Sequence, residues 1–120
     1  MRKKTFEELF AEQPDLETLK KLPRLPMIAI LENIRSMYNV GSIFRTADAV
    51  RVAELYLAGY TPVPPRKEID KTALGATESV PWQHFASAQS AVEQARKKGY
   101  SIWVLEQTAG GEAPDLARHR

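Results

Sequence analysis

Apolar residues fall along the chain in two alternating rhythms, one of helices and one of buried strands. Phe6, Leu9 and Phe10 share a helical face, Pro14 interrupts them, and Leu16, Leu19 and Leu22 give a second short helix that Pro23 and Pro26 close. Residues 1–26 are therefore expected to form an N-terminal helical extension. Met27 to Leu31 is a continuous apolar run, too short for a typical helix and suited to a parallel strand buried on both faces. A helix follows from about Asn39 to Val50, with Val40, Ile43, Phe44 and Ala47 on one side and Asn39 as its expected N-cap. Glu54 to Gly59 gives a second strand, and the proline-rich stretch from Tyr60 to Pro65 a loop.

Beyond the loop, a short helix is expected around Lys67 to Thr72, then Gly75, then an extended stretch at Val80-Pro81-Trp82. Ala86 to Lys98 is amphipathic through Ala88, Ala91, Val92 and Ala95, with Gly99 as its C-cap, and Ser101 to Leu105 is a third strand. The alternation predicts an α/β fold, a parallel sheet with flanking helices. From Glu106 onward, adjacent glycines, a proline and many charges predict neither another strand nor a helix to cover the third one. Residues 110–120 are expected to be a flexible tail.

Composition narrows the chemistry. A chain of 120 residues with 43% hydrophobic and 27% charged residues can bury the core of one small domain. The absence of cysteine excludes disulfides, thiolate zinc sites and a cysteine nucleophile. His84 and His119, the two histidines, are too far apart in sequence to suggest a metal site, so no metal is expected. No run has the length of a membrane span and the start lacks an apolar signal region, so a cytoplasmic location is the default. The net charge of +2 permits RNA as a partner without requiring it.

The most informative stretch is Asn39-Val40-Gly41-Ser42-Ile43-Phe44-Arg45-Thr46-Ala47, where a strand and loop feed a helix N-terminus. Free backbone N–H groups and the helix dipole favour anions there. Gly41 and Arg45 lie one turn apart, so a small residue could admit a phosphate and a planar guanidinium could clamp it. The plainer alternative has Asn39 only capping, Gly41 permitting close packing, and Arg45 paired with Asp48; on spacing alone this alternative is favoured.

Asn39-x-Gly41-x-x-x-Arg45-x-Ala47 resembles the first signature of the SpoU branch of SPOUT RNA methyltransferases, with Glu32-Asn33 similar to its lead-in. Leu55 to Gly59 before a proline loop, and Lys71 to Ala76 running on to Val80-Pro81-Trp82, are similar to the family's order and spacing. The resemblance covers about Met27 to Gln107. It implies the SPOUT α/β knot fold and transfer of a methyl group from S-adenosylmethionine to a ribose 2′-hydroxyl of tRNA or rRNA, in a homodimer. It also implies Arg45 and Asn39 as catalytic residues. Candidate RNA contacts are Gly41, Ser42, Arg66, Lys71, Gly75, Thr77 and Glu78. Thr108, after the third strand, is a candidate cofactor contact, and Trp82 and Trp103 are expected in the core or at a dimer contact.

The sequence departs from the family pattern in two places. Arg51 stands where a glycine usually closes the signature helix. The family's glycine-asparagine-glutamate turn and serine-leucine-asparagine run are absent, so residues 27–109 are expected to be the N-terminal part of the methyltransferase domain, truncated before the cofactor-binding knot and inactive alone. The alternative is a non-catalytic RNA-binding or dimerisation module that retains the phosphate cradle.

Overall fold

The structure, a computed structural model, describes residues 23–107 and the backbone of residues 114–119. The N-terminal helices expected before Pro23 lie outside the described residues, as does Thr108. The elements are β1 (Leu25–Glu32), α1 (Met37–Val50), β2 (Val52–Ala58), α2 (Lys67–Ala73), α3 (Ala76–Ser79), β3 (Trp82–Phe85), α4 (Ala88–Lys98), β4 (Ser101–Gln107) and β5 (Pro114–His119). They build a five-stranded sheet in the order β3-β2-β1-β4-β5. β1 to β4 are parallel to their neighbours, and β5 joins β4 antiparallel, with Leu105 opposite Leu116. The three-strand sheet expected from the sequence is thus extended at both edges, and the stretch after Glu106 supplies a strand that its charges and glycines had concealed.

Period-two alternation sends side chains to two cores. Ala29 and Leu31 of β1 and Leu55 and Leu57 of β2 pack under Val40, Phe44 and Ala47 of α1, with Ile69 and Ala73 of α2. On the opposite face Ile28, Ile30, Tyr56, Ala58, Ile102 and Val104 meet Ala91, Val92 and Ala95 of α4. Burying a side chain the size of leucine or isoleucine contributes about 1.5–3 kcal/mol. This gain easily outweighs the local strain at Arg51, which ends α1 in the left-handed conformation (φ 65°, ψ 46°), a cost of about 1–2 kcal/mol for a residue with a Cβ.

Local signals set the helix ends. Ser36, not Asn39, caps α1: its hydroxyl accepts the Asn39 N–H at 3.1 Å, which places Asn39 inside the first turns. Ser87 caps α4 in the same way, accepting from Ser90 N–H at 3.2 Å, and Gly99 (φ 72°) closes it as the sequence predicts. Arg24 fixes the chain where it enters the sheet, donating from Nη1 to the Val52 carbonyl at 3.1 Å and from Nη2 to the Ser79 carbonyl at 2.6 Å. Burial lowers the Arg24 pKa, the nearby Arg51 charge lowers it further, and Asp48 partly opposes both.

Candidate functional site

β2 and β3 lie to one side of β1, while β4 lies on its other side. In open parallel sheets such a reversal opens a crevice outside the carboxyl ends of the strands, here between β1 and β4. The loop from β1 into α1 forms one wall.

Two loops at this edge are locked together. Asn33 adopts a left-handed backbone (φ 52°) and its Oδ1 accepts the Tyr60 N–H at 3.1 Å. Gly59 (φ 66°) lies so close that a Cβ there would sit 2.0 Å from Asn33 Oδ1. Beneath them Thr61 is buried; its hydroxyl accepts from Ile34 N–H at 3.1 Å and lies 2.8 Å from the Ala58 carbonyl and 3.0 Å from that of Leu31. On top, Arg35 Nε donates to the Tyr60 hydroxyl at 3.4 Å, and the guanidinium carbon stands 5.7 Å from the ring centroid. The hydrogen bond to Tyr60 is the main reason the Arg35 pKa is raised. Neither Arg35 nor Tyr60 stands out in the sequence; the signal, a tyrosine opening a proline loop after a strand, has meaning only once β1 and β2 are known to be neighbours.

The signature residues do not converge on one spot. Gly41 is buried against α2: an added Cβ would meet Thr72 Oγ1 at 2.0 Å and the Ile69 carbonyl at 2.3 Å. The open approach for phosphate expected there is filled by protein, and the glycine instead allows two helices to touch. Thr72 Oγ1 also donates to the Tyr38 carbonyl at 2.8 Å, tying α2 to the first turn of α1. Arg45, one turn beyond Gly41, is exposed and forms no hydrogen bond or ion pair among the described residues, so the pairing with Asp48 is not made. Asn39 lies about 120° around the helix from Arg45, six residues at about 100° each.

Asn39, Ser42 and Thr46 line a groove of about 420 Å³ between α1 and the half of the sheet it leaves uncovered, and Ser42 stands only about 60° around the helix from Arg45. Its floor and walls include Met27, Ile43, Val50, Trp103 and Leu105. Trp103 and Leu105 are half-buried there, while Trp82 packs at the margin of the core under α1. Of the remaining candidates, Arg66 precedes the first residue of α2, Lys71 is exposed on that helix, and Gly75 (φ 88°) leads into α3, which carries Thr77 and exposed Glu78. They form a separate polar margin on the α2–α3 side of α1.

At the far, amino end of β2 a polar cluster pins α4. Lys98 pairs with Glu54, and Gln83 Nε2 donates to Glu54 Oε1 at 3.0 Å. Tyr56 is wholly buried beside them, its ring 4.6 Å from that of Phe85. Burial, then the Glu54 charge, raises the Tyr56 pKa above its ordinary value. Among the described residues no helix is long and apolar enough to cross a membrane.

An open, mostly parallel sheet with helices on both faces and a crevice at its strand ends defines an α/β domain. The particular family follows from comparison: residues 26–118 match the model of the SpoU rRNA Methylase family, and the chain belongs to that family. It is 28% identical over 102 residues to the 23S rRNA (guanosine-2′-O-)-methyltransferase RlmB of Vibrio vulnificus, covering 85% of this chain and 40% of the relative. The corresponding enzyme of Neisseria meningitidis serogroup B is 27% identical over 97 residues, covering 81% and 38%. The chain thus spans about 40% of the length of such relatives. In fold it is similar to the SpoU methyltransferase AviRb from Streptomyces viridochromogenes, with a TM-score of 0.57 and 21% identity over 71% of this chain and 33% of that one.

The groove beside α1 does not by itself fit S-adenosylmethionine. The groove beside α1 is lined by apolar residues and three small polar ones, with no charged side chain to meet the donor's ammonium and carboxylate groups.

Proposed function

We propose that the chain serves the transfer of a methyl group from S-adenosylmethionine to a ribose 2′-hydroxyl of tRNA or rRNA, in the cytoplasm, as the RNA-facing part of a methyltransferase domain. The observation that carries this reading is Arg45, an exposed guanidinium with no hydrogen bond or ion pair among the described residues, on a helix whose rotation is fixed by the Gly41 contact. A guanidinium does not give up its protons in proteins. Arg45 therefore acts by charge and geometry: its planar fork holds the phosphate beside the target ribose and stabilises negative charge as the hydroxyl loses its proton. Asn39, on the groove side, orients the ribose or the loop ahead of the helix. Ser42, Arg66, Lys71 and the Gly75 to Glu78 segment supply flanking RNA contacts, the two cations mainly through phosphates. A second copy of the chain covers half-buried Trp103 and Leu105 in a homodimer, and Thr108 belongs to the donor side.

The test is transfer of tritiated methyl from S-adenosylmethionine to unmodified rRNA and tRNA by a complete methyltransferase domain that contains this chain, as wild type, Arg45→Ala and Arg45→Lys. Both variants are expected to lose nearly all transfer, because a point charge does not copy the fork, while melting at the wild-type temperature. Near-normal methylation by either defeats the assignment. The half-buried Trp103 and Leu105 in the apolar groove favour a second reading, a non-catalytic RNA-binding or dimerising module. RNA binding by the wild type with no methyl transfer at all would select it.

A further inference from the structure

We propose that Tyr60 and Arg35 form a platform for one unpaired nucleotide of the RNA, the base stacking on the Tyr60 ring and its phosphate held by Arg35. The inference rests on the reading that RNA is the ligand. An exposed tyrosine is ordinary in itself, and Tyr60 is 57% exposed. What sets it apart is how it is held. Its N–H is bound by the side chain of Asn33, its neighbour Gly59 is pressed against that side chain, and the next residue, Thr61, anchors the loop into the core. Two left-handed residues, Asn33 and Gly59, are needed to join the loops this way. The backbone that carries the ring is therefore fixed before any ligand arrives, which reduces the ordering left to be done on binding.

Position and charge agree. Arg35 lies in the loop leaving β1, which borders the crevice between β1 and β4, and Tyr60 in the loop leaving the adjacent strand. The guanidinium lies over the ring on its hydroxyl side, which places a cation next to a flat aromatic group. That pairing matches a nucleotide, whose base is flat and whose phosphate is anionic. Base faces are hidden within A-form duplex and available in loops, bulges and ends, so the platform selects unpaired RNA. It would draw a looped-out nucleotide to the crevice mouth.

The experiment uses the 120-residue chain and a fluorescein-labelled ten-nucleotide oligoadenylate, read by fluorescence anisotropy over a range of salt. Tyr60→Phe keeps the ring and should bind within about twofold of wild type. Tyr60→Ala should weaken binding by about tenfold, the usual effect of removing one stacking side chain. Arg35→Ala should weaken it and reduce the slope against log salt by about one. A duplex of equal length should show no dependence on Tyr60. Thermal melts of all variants should match wild type, which a merely structural role of the ring would not allow. No binding by the wild type, equal binding by Tyr60→Ala, or an equal loss on duplex overturns the platform. If the wild type transfers methyl and Tyr60→Ala binds as it does, the platform falls and the catalytic reading stands. Tyr60-dependent binding without methyl transfer gives the reverse.

Discussion

Arg51→Gly should make the protein more stable. Arg51 closes α1 at φ 65° and ψ 46°, with its N–H bonded to the Ala47 carbonyl at 2.8 Å and its own carbonyl accepting from Leu25 N–H at 2.7 Å. Those bonds survive the substitution, because only the side chain changes. The left-handed conformation costs a residue with a Cβ about 1–2 kcal/mol. Glycine removes that cost, and its greater freedom in the unfolded chain returns about 0.5–1 kcal/mol. The net gain is about 0.5–1 kcal/mol, a rise in Tm of roughly 2–6 °C for a domain of this size. Loss of the Arg51 charge also relieves Arg24, whose pKa it depresses. Arg51→Ala separates the two effects, since it removes the charge and keeps the Cβ. Circular dichroism melts should rank glycine above alanine, with alanine close to wild type because it keeps the Cβ penalty and gains only the relief of Arg24. A glycine variant that melts lower, or an alanine variant that gains as much, would refute the backbone argument.

Gly41→Ala should destabilise by about 1–3 kcal/mol or more in urea denaturation, because the new methyl collides with a backbone carbonyl at 2.3 Å as well as with Thr72; a neutral result would mean that α2 is free to move aside. Stability should also fall as pH rises past about 10: Tyr56 and Lys98 both have raised pKa values in the folded state, so each favours folding below its ordinary value and loses that contribution as pH climbs through the raised one. Urea midpoints at pH 8 and pH 10.5 should show the drop, and Tyr56→Phe should shrink it.

The interior of the sheet was legible in the sequence because strands buried on both faces must be apolar throughout, as in Ile28 to Leu31 and Leu55 to Ala58. The edges were not. β3 carries exposed Gln83 and His84, so the extended stretch expected at residues 80–82 is found two residues later, and β5 is held by backbone pairing that leaves no apolar mark. Arg51 was readable as an odd residue at a helix end, and its left-handed angle explains why. Asn39 was misplaced as the cap because Ser36 lies in a polar loop that gave no sign of where the helix starts. Gly41 looked like a gate for phosphate because its true neighbours, Ile69 and Thr72, are about thirty residues away in the chain.

The contact between Gly41 and α2 has a consequence for the spacing of the signature itself. With the helix unable to roll, a count of residues becomes an angle: Arg45 points where it does because it is four positions from the residue that is clamped. Inserting a single residue between them would swing the guanidinium by about 100°, to the bearing now held by Thr46 over the apolar groove. The motif thus works as a protractor, with Gly41 as its pivot, and an insertion there would alter the direction of the charge without altering any residue of the motif.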